Sequence, residues 1–119
     1  MIPNHSMASA LHELNNLKSG WLEGTGIVPQ RANLERLSKQ WIESFPQGLE
    51  EPKAIPTAEG NVSFEWIKPA LRIELEVNFT KNRLELCATD IESDTFMDES
   101  FDMSDWAGAF ARITSLLAS

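Results

Sequence analysis

Several residue types that would point to particular chemistry are scarce in this chain. Its 119 residues include a single cysteine, Cys87, so neither an internal disulfide nor a site built from several thiolates can form within it. Its two histidines, His5 and His12, lie on polar positions without a nucleophile–histidine–acid signature. No run approaches the ~18 uninterrupted apolar residues of a membrane span. These absences argue against a disulfide scaffold, a thiolate metal centre and a membrane protein, and no catalytic residue is predicted.

Basic residues are also few. The chain has 10 Lys and Arg against 18 Asp and Glu, which gives a net charge of −8 at pH 7. This charge repels phosphate backbones, so no nucleic-acid partner is expected, and a basic protein is the electrostatically easier partner. Solubility alone is the other explanation of the charge. Residues 1–6 have neither the basic start nor the long apolar run of a signal peptide, so we expect the protein to be cytoplasmic. We also expect these first residues to be frayed.

The rest of the composition is typical of a globular protein. Apolar residues make up 42% and charged residues 24% of the chain, unlike the low hydrophobicity of disordered segments. The length suffices for one hydrophobic core. No repeat, low-complexity tract or linker divides the sequence. We therefore expect a single α+β domain over residues 1–119.

Helical periodicity marks the first part and the end of the chain. Leucines recur every three residues over residues 11–17, which predicts a first helix that begins at Ser6 or Ser9 and ends at Gly20. A second helix is predicted over residues 30–45, before a proline that cannot continue it. A C-terminal helix is predicted with its apolar stripe on one face. Its expected N-cap is Asp102 or Ser104.

Alternation of apolar and charged residues predicts strands from the middle of the chain onward. Residues 52–56, bounded by prolines, are predicted to be a short edge strand or an extended lead-in to the sheet, and residues 62–66, 71–79 and 84–88 alternate cleanly. A further strand is predicted near residues 95–101. The fold class is thus α+β, with two N-terminal helices, an antiparallel meander of four or five strands and a C-terminal helix. The helices would cover one sheet face as a two-layer sandwich, and opposite charges would pair across the other face.

Three glutamates lie beside a tryptophan or a glycine-containing turn. Two tryptophans accompany them, so the candidate binding residues are Trp21, Glu23, Glu59, Glu65 and Trp66. Carboxylates brought together under an aromatic side chain would have shifted pKa values, as groups at functional sites often do. The alternatives are solvated charges on turns and strands for the glutamates, and core positions for the tryptophans.

No cofactor and no metal is predicted. The glycines of residues 24–26 do not follow a strand and lack the Lys-Ser/Thr pair of a phosphate-binding loop. An acidic segment has the alternate spacing of a calcium loop, but Thr95 stands at the glycine position and Phe101 at that of the bidentate glutamate. Its acids are Asp90, Glu92, Asp94 and Asp98. Cys87 follows the outward phase of its strand near Arg83, where it would be either a reactive or an inert, half-exposed thiol.

Two patterns in the sequence are distinctive. One is Gly-Trp-Leu-Glu-Gly-x-Gly at residues 20–26, followed by Pro29, and the other is Pro-Thr-x-Glu-Gly-x-Val-x-Phe-Glu-Trp at residues 56–66. Together they resemble a group of small bacterial proteins of unknown function that share such a loop and such a turn and strand. Asn61 replaces the usual second glycine, and asparagine tolerates positive φ. The resemblance spans roughly residues 11–90 and implies fold boundaries without an activity.

Two functions of different classes fit these observations. The first is a non-enzymatic protein-binding or regulatory module of the antitoxin, immunity or operon-partner type, with a basic protein, or a second copy in a homodimer, on the outer sheet face. The second is a small hydrolase or ligand-binding protein with a carboxylate-lined pocket between the loop at residues 21–26 and the turn and strand at residues 59–66. Small size, acidity and the missing catalytic signature favour the first.

Overall fold

The antiparallel sheet forms the middle of the chain. In the computed structural model, which describes residues 3–22 and 24–118, three α-helices accompany a five-stranded sheet. The helices are α1 (Pro3–Glu13), which continues into a 3-10 turn at Leu14–Asn16, α2 (Arg31–Ser44) and α3 (Trp106–Ala118). The strands are β1 (Lys53–Pro56), β2 (Val62–Ile67), β3 (Leu71–Asn78), β4 (Arg83–Asp90) and β5 (Thr95–Asp102).

The strands follow one another in space as they do in sequence. Their order is β1-β2-β3-β4-β5, and every neighbouring pair is antiparallel. Short turns make this possible, since Lys68 donates its backbone N–H to Leu71 (2.8 Å) and Asn82 adopts a φ of 58°, a conformation that asparagine tolerates. The predicted α+β class, antiparallel meander, short edge strand and strand near residues 95–101 are confirmed.

One face of the sheet is apolar and buried. Alternate side chains of β2, β3 and β4 supply it: Val62, Phe64, Trp66, Ile73, Leu75, Val77, Leu84, Leu86 and Ala88. They form one cluster with buried side chains of the helices: Met7, Leu11, Leu34, Leu37, Trp41, Trp106, Ala109, Phe110 and Ile113. The alternate apolar side chains of the strands and the apolar stripes of the helices therefore pack in a common core. None of the helices in the described part of the chain is both long and apolar enough to cross a membrane.

Trp41 lies at the centre of this core. Its ring stacks on Phe64 of β2 with centroids 4.2 Å apart and on Phe45 at 4.7 Å. The edge-on contacts with Trp106 (6.2 Å) and Phe110 (5.2 Å) bring in α3. Such aromatic pairs contribute about 0.5–1.5 kcal/mol beyond the burial of their area. A single side chain thus joins α2, α3 and the sheet.

Helix α1 begins earlier than its sequence signals predicted. It starts at Pro3, upstream of both Ser6 and Ser9, because proline is compatible with the first turn of a helix. Met7 and Leu11 are buried in the core, as the apolar stripe indicated. The fraying expected for residues 1–6 stays a prediction.

The end of α1 was also predicted wrongly. The α-helix ends at Glu13 and tightens into the 3-10 turn, after which Leu17 is extended at φ −67° and ψ 151°. Gly20 has the expected positive φ, 79°, but it belongs to the following loop, where its N–H donates to the Gly26 carbonyl (3.0 Å). Positive φ at a glycine signals a turn without specifying that a helix precedes it.

The N-cap of α3 is Asp105 instead of Asp102 or Ser104. The Asp105 carboxylate accepts the backbone N–H of Gly108 (3.0 Å), the bond that satisfies a free donor at a helix start. Asp102 instead accepts the Ser104 N–H (3.0 Å) and hydroxyl (2.7 Å), and these bonds lower the pKa of Asp102. Asp102, Ser104 and Asp105 all have side chains that can cap a helix, and in the folded chain Asp105 is the one that does so.

Replacing Trp41 by alanine tests the central role of this side chain. We expect the Trp41→Ala variant to lose ~3–5 kcal/mol of unfolding free energy, because a fully buried ring is replaced by a cavity. Urea unfolding followed by circular dichroism measures the loss. Lys39→Ala, at an exposed position of the same helix, should change the free energy by less than ~0.5 kcal/mol. Equal effects of the two substitutions would contradict the assignment.

Candidate functional site

The loop at residues 20–27 and the turn before β2 are in contact. Ile27 donates its backbone N–H to the Ala58 carbonyl (2.7 Å) and forms an isolated parallel bridge with Glu59. A Cβ atom at Gly60 would lie 3.1 Å from the Ile27 side chain, so the two segments approach closely. The two patterns that stand out in the sequence are therefore neighbours in space.

Trp21 stabilises this loop. Its half-buried indole donates from Nε1 to the Ile27 carbonyl (3.2 Å). The ring covers Gly26, which has a φ of 103° and where a Cβ atom would lie 2.9 Å from the indole nitrogen. The geometry thus gives Trp21 a structural contact within the loop.

Trp66 faces the core. It is 1% exposed and donates from Nε1 to the Glu50 carbonyl (2.7 Å). This hydrogen bond satisfies the polar end of a buried indole and ties the segment before β1 to β2. A ligand at the surface would not reach this ring, so Trp66 supports the sheet from within.

The candidate glutamates do not share one pocket among the described residues. Glu23 lies outside the residues that the structure describes. Glu59 is exposed and lines an open depression of about 460 Å³, whereas Glu65 does not line it. Glu65 lies further along β2, between Lys53 of β1 and Glu74 of β3. Of the two described acids, Glu59 adjoins the loop–turn contact and Glu65 does not.

The strand register reveals a feature that sequence reasoning missed. We call the side of the sheet that carries the alternate, non-core side chains the outer face. It comprises Lys53, Ile55, Ser63, Glu65, Ile67, Arg72, Glu74, Glu76, Asn78, Arg83, Glu85, Cys87, Thr89, Phe96, Asp98, Ser100 and Asp102. On this face Glu65 lies directly opposite Glu74, and Glu76 lies directly opposite Glu85. Opposite charges stand across from each other at Lys53 and Glu65 and at Arg83 and Asp102, but at the centre of the face the expected pairing of opposite charges is wrong.

The cations of the outer face lie at its margins, where Lys53 of the edge strand β1 stands opposite Glu65. Arg72 stands opposite Ile67 and Thr89, while Arg83 stands at the other end of its strand and donates from Nε to the Ser100 hydroxyl (3.0 Å). Alternation predicted which side chains share the face, but only the register determines which of them are opposite. Counting back from the two hairpin turns would have revealed the like-charged pairs.

The pKa of Glu76 is shifted by its position on this face. Burial raises the pKa of its carboxyl, and the nearby carboxylates of Glu85, Glu59 and Glu74 act in the same direction. A hydrogen bond from the Asn61 amide (3.2 Å) opposes the shift. A negative charge at this position is therefore unfavourable in the folded protein.

Asn61 is the rigid member of the depression beside Glu59. It is 4% exposed, and its Oδ1 accepts the Phe79 N–H (3.0 Å) while its own N–H donates to Thr57 (3.1 Å). The depression is lined by Glu59, Asn61, Glu76, Asn78, Thr80, Lys81 and Glu85. Three carboxylates and one lysine make it an acidic surface suited to a cationic group.

The other candidate groups have structural explanations. Burial raises the pKa of the Cys87 thiol, and Asp98, whose carboxylate lies 4.0 Å from its sulfur, adds to the effect. This environment favours the inert thiol over the reactive one. Asp90 accepts the N–H groups of Glu92 (3.1 Å) and Ser93 (3.2 Å) and so builds the β4–β5 turn. Within residues 3–22 and 24–118, no group of His, Cys, Asp and Glu is arranged to hold a metal ion.

Comparison with known proteins returns no match to a family model, to a curated protein or to a solved structure. The resemblance to small bacterial proteins therefore stays a prediction. The outer face and the loop–turn contact are the observations that bear on function.

A pair of glycine substitutions tests the contact between Trp21 and the loop. Gly24 and Gly26 both have positive φ, but only at Gly26 would a Cβ atom meet the indole. We expect Gly24→Ala to destabilise the protein by ~1–2 kcal/mol through backbone strain alone. Gly26→Ala should exceed this by ~1–3 kcal/mol because of overpacking. Urea unfolding compares the two, and equal losses would exclude the contact.

A second substitution tests the charge at Glu76. Because the folded state binds this proton more tightly than the unfolded chain, the free energy of unfolding falls as the pH rises through the range just above the ordinary pKa of a glutamate. Glu76→Gln keeps an acceptor for Asn61 and removes the charge. It should stabilise the protein at about pH 7 by a few tenths to ~1 kcal/mol, with a smaller gain at about pH 4. Urea unfolding at both pH values measures this.

The matched control is Glu43→Gln, at an exposed position of α2, which should leave the free energy of unfolding nearly unchanged at both pH values. A destabilised Glu76→Gln variant at neutral pH would show that the ionised carboxylate contributes favourably to the fold.

Proposed function

We propose that this chain is a non-enzymatic protein-binding module whose outer face takes a basic protein partner. The observation that carries the proposal is the register of the sheet, which sets Glu65 against Glu74 and Glu76 against Glu85. Glu65 and Glu74 form a non-hydrogen-bonded pair, because the bond from Lys68 to Leu71 sets the alternation on these strands. Side chains stand closest at such pairs, so the repulsion is strongest there.

The core does not use the side chains of these acids, although Glu76 accepts the Asn61 amide (3.2 Å) and Glu85 the Asn78 amide (3.1 Å). Their side chains lie on the face without core residues, and like charges directly opposite each other destabilise a sheet by several tenths of a kcal/mol to ~1 kcal/mol per pair. Lysine or threonine at any of the four positions would relieve the repulsion. Cationic side chains from a partner would relieve it as well and would be attracted over a distance set by the ionic strength. A role in binding accounts for an arrangement that a role in stability does not.

A basic partner fits this face better than a second copy of the chain. Two outer faces brought together would add a second set of carboxylates to the first, in a protein whose net charge is already −8. Desolvating such charges without counter-charges is unfavourable. A homodimer through the outer face is thus less favoured than a complex with a basic protein, and sedimentation of the unchanged chain would detect it.

The finer features expected from the sequence form part of the proposal. Helices α1 and α2 precede the sheet, and we infer that the helices form one layer over its apolar face, which is supported by the shared core. Small size, acidity and the charged outer face support a cytoplasmic antitoxin, immunity or regulatory partner encoded in an operon. Its partner would then be a basic protein made by the same cell.

A ligand-binding or hydrolytic role is the second candidate. It is supported by the contact of Ile27 with Ala58 and by the depression that Glu59 lines. It is weakened because Glu65 lies outside that depression and Trp66 is buried. A binding role for the outer face needs no such convergence, and it is the function that we favour.

Charge-neutralising variants test the proposed face. The chain is used to capture proteins from its host at low salt, and the partner is identified and titrated in purified form. The double variant Glu74→Gln/Glu85→Gln should weaken binding by roughly tenfold or more, since two charges at the centre of the interface are lost. The affinity of the unchanged chain should fall steeply as salt is added. Isothermal titration calorimetry measures both effects.

The control is Glu13→Gln/Glu43→Gln, which removes the same number of charges from exposed helix positions. It should leave the affinity within about twofold, since only long-range attraction changes. Equal weakening by the two double variants, or a partner that is acidic, would contradict the proposal. Self-association of the unchanged chain through this face, seen by sedimentation and lost in Glu74→Gln/Glu85→Gln, would replace the basic partner by a second copy.

A further inference from the structure

The two edges of the sheet differ in their capacity to accept another strand. An edge strand presents unpaired N–H and C=O groups, which natural proteins protect by short length, proline, bulges or charge. In the part of the chain that the structure describes, β1 and β5 form the two edges. Hydrogen bonds at the adjacent turns determine which residues of each edge strand direct their backbone N–H and C=O groups away from the sheet.

The β1 edge is closed by proline. Thr57 donates its N–H to the Asn61 carbonyl (2.9 Å), and in an antiparallel pair hydrogen-bonded and non-hydrogen-bonded positions alternate from there. In β1 and the residue before it, the backbone groups directed away from β2 are therefore those of Ala54 and of Pro52 and Pro56 at the alternate positions. Proline has no N–H. Ala54 is thus the single outward donor over this stretch.

The β5 edge has no such protection. Met103 donates its N–H to the Asn82 carbonyl (3.3 Å), which continues the register of β4 with β5. By the same alternation, Phe96, Asp98 and Ser100 direct their N–H and C=O groups away from β4. All three residues are exposed. The strand spans eight residues without proline, glycine or a bulge in its pairing.

Charge is the one protective device that β5 carries. Asp98 and Asp102 lie on its outer face, and Glu99 on the opposite side pairs with Arg112 of α3 (2.7 Å). No lysine or arginine occurs within the strand. Acidic side chains repel another acidic strand and attract a basic one. The β5 edge therefore favours a positively charged strand over a negatively charged one.

We propose that the β5 edge binds an extended segment of the basic partner as a sixth strand of the sheet. Strand addition of this kind derives affinity from main-chain hydrogen bonds and specificity from alternate side chains. Residues of the added strand opposite Phe96, Asp98 and Ser100 would place their side chains on the outer face. Lysine or arginine at these alternate positions would then stand beside Asp98 and within diagonal reach of Asp102. This inference rests on the proposed function and specifies how the partner is held.

Self-pairing of two β5 strands is disfavoured by the same geometry. A two-fold antiparallel pairing centred on Asp98 would set that carboxylate against its own copy. Centring the pairing on Ser100 would set Asp98 against Asp102. Like charges directly opposite one another are destabilising. The acidic edge is compatible with a basic segment and not with a second copy of itself.

A peptide of alternating lysine and valine, acetyl-Thr-Lys-Val-Lys-Val-Lys-Val-Thr-amide, serves as the probe on the full chain at low salt. Hydrogen exchange measured by nuclear magnetic resonance should show that the amides of Phe96, Asp98 and Ser100 become protected when the peptide binds. The amide of Ala54 should not. In an antiparallel addition the peptide donates the backbone N–H groups of the lysines that stand opposite Phe96, Asp98 and Ser100. A peptide N-methylated at the backbone nitrogens of these lysines keeps its charge and loses the donors, and it should bind at least ~10-fold more weakly. This comparison requires no change in the protein.

A proline substitution tests the edge from the other side. Ser100→Pro removes an outward N–H that β4 does not use, which an edge strand tolerates, and it should weaken binding of the peptide at least ~10-fold. Ser100→Ala removes only the hydroxyl and should bind within about twofold of the unchanged chain. Urea unfolding checks that both variants are folded.

The outcomes separate the two proposals. If the peptide does not bind, or if N-methylation and Ser100→Pro leave its affinity unchanged and the β5 amides unprotected, strand addition is excluded. The proposed function survives that result when Glu74→Gln/Glu85→Gln still weakens the natural partner. If the β5 amides become protected while this double variant binds the natural partner normally, the edge inference holds and the proposed outer-face interaction fails.

Discussion

The hydrogen-bond register of the sheet is the constraint on which the other features of this protein depend. It is set at the hairpins, where Lys68 bonds to Leu71 and the chain turns at Asn82 with positive φ. Because side chains alternate with a period of two, a slip by one residue would exchange the core for the outer face. The same register opposes glutamate to glutamate and decides which backbone groups of β1 and β5 are directed away from the sheet.

The core provides the stability that permits an unfavourable outer face. Trp41 contacts aromatic side chains of α3 and β2, and the strands contribute fully buried aliphatic residues. The indole N–H groups of Trp41 and Trp106 have no acceptor among the described residues, so packing outweighs the loss of two hydrogen bonds there. A core of this kind tolerates repulsion of about 1 kcal/mol between pairs of glutamates. The buried apolar side chains are thus concentrated on one side of the sheet, and the opposed glutamates on the other.

Most elements of the fold could be predicted from the sequence, whereas the arrangement of the candidate site could not. Strand alternation identified β2, β3 and β4, and Pro46 correctly marked the end of α2. Helix termini are set less strictly by sequence, because Asp102, Ser104 and Asp105 all have capping side chains and the folded chain uses Asp105. The candidate glutamates were chosen for their neighbours in sequence, and sequence proximity does not report which strands bring side chains together.

What the sequence determined by itself was the set of elements, the apolar face of each strand and the acidic character of the chain, because periodicity and composition depend on local order alone. Only the tertiary structure decided that Glu65 meets Glu74, that Ile27 reaches the turn at Ala58, and that β5 rather than β1 has the accessible edge. These features depend on contacts between segments distant in sequence. Their physical origin is the pairing of backbone hydrogen bonds across strands, which no single strand encodes.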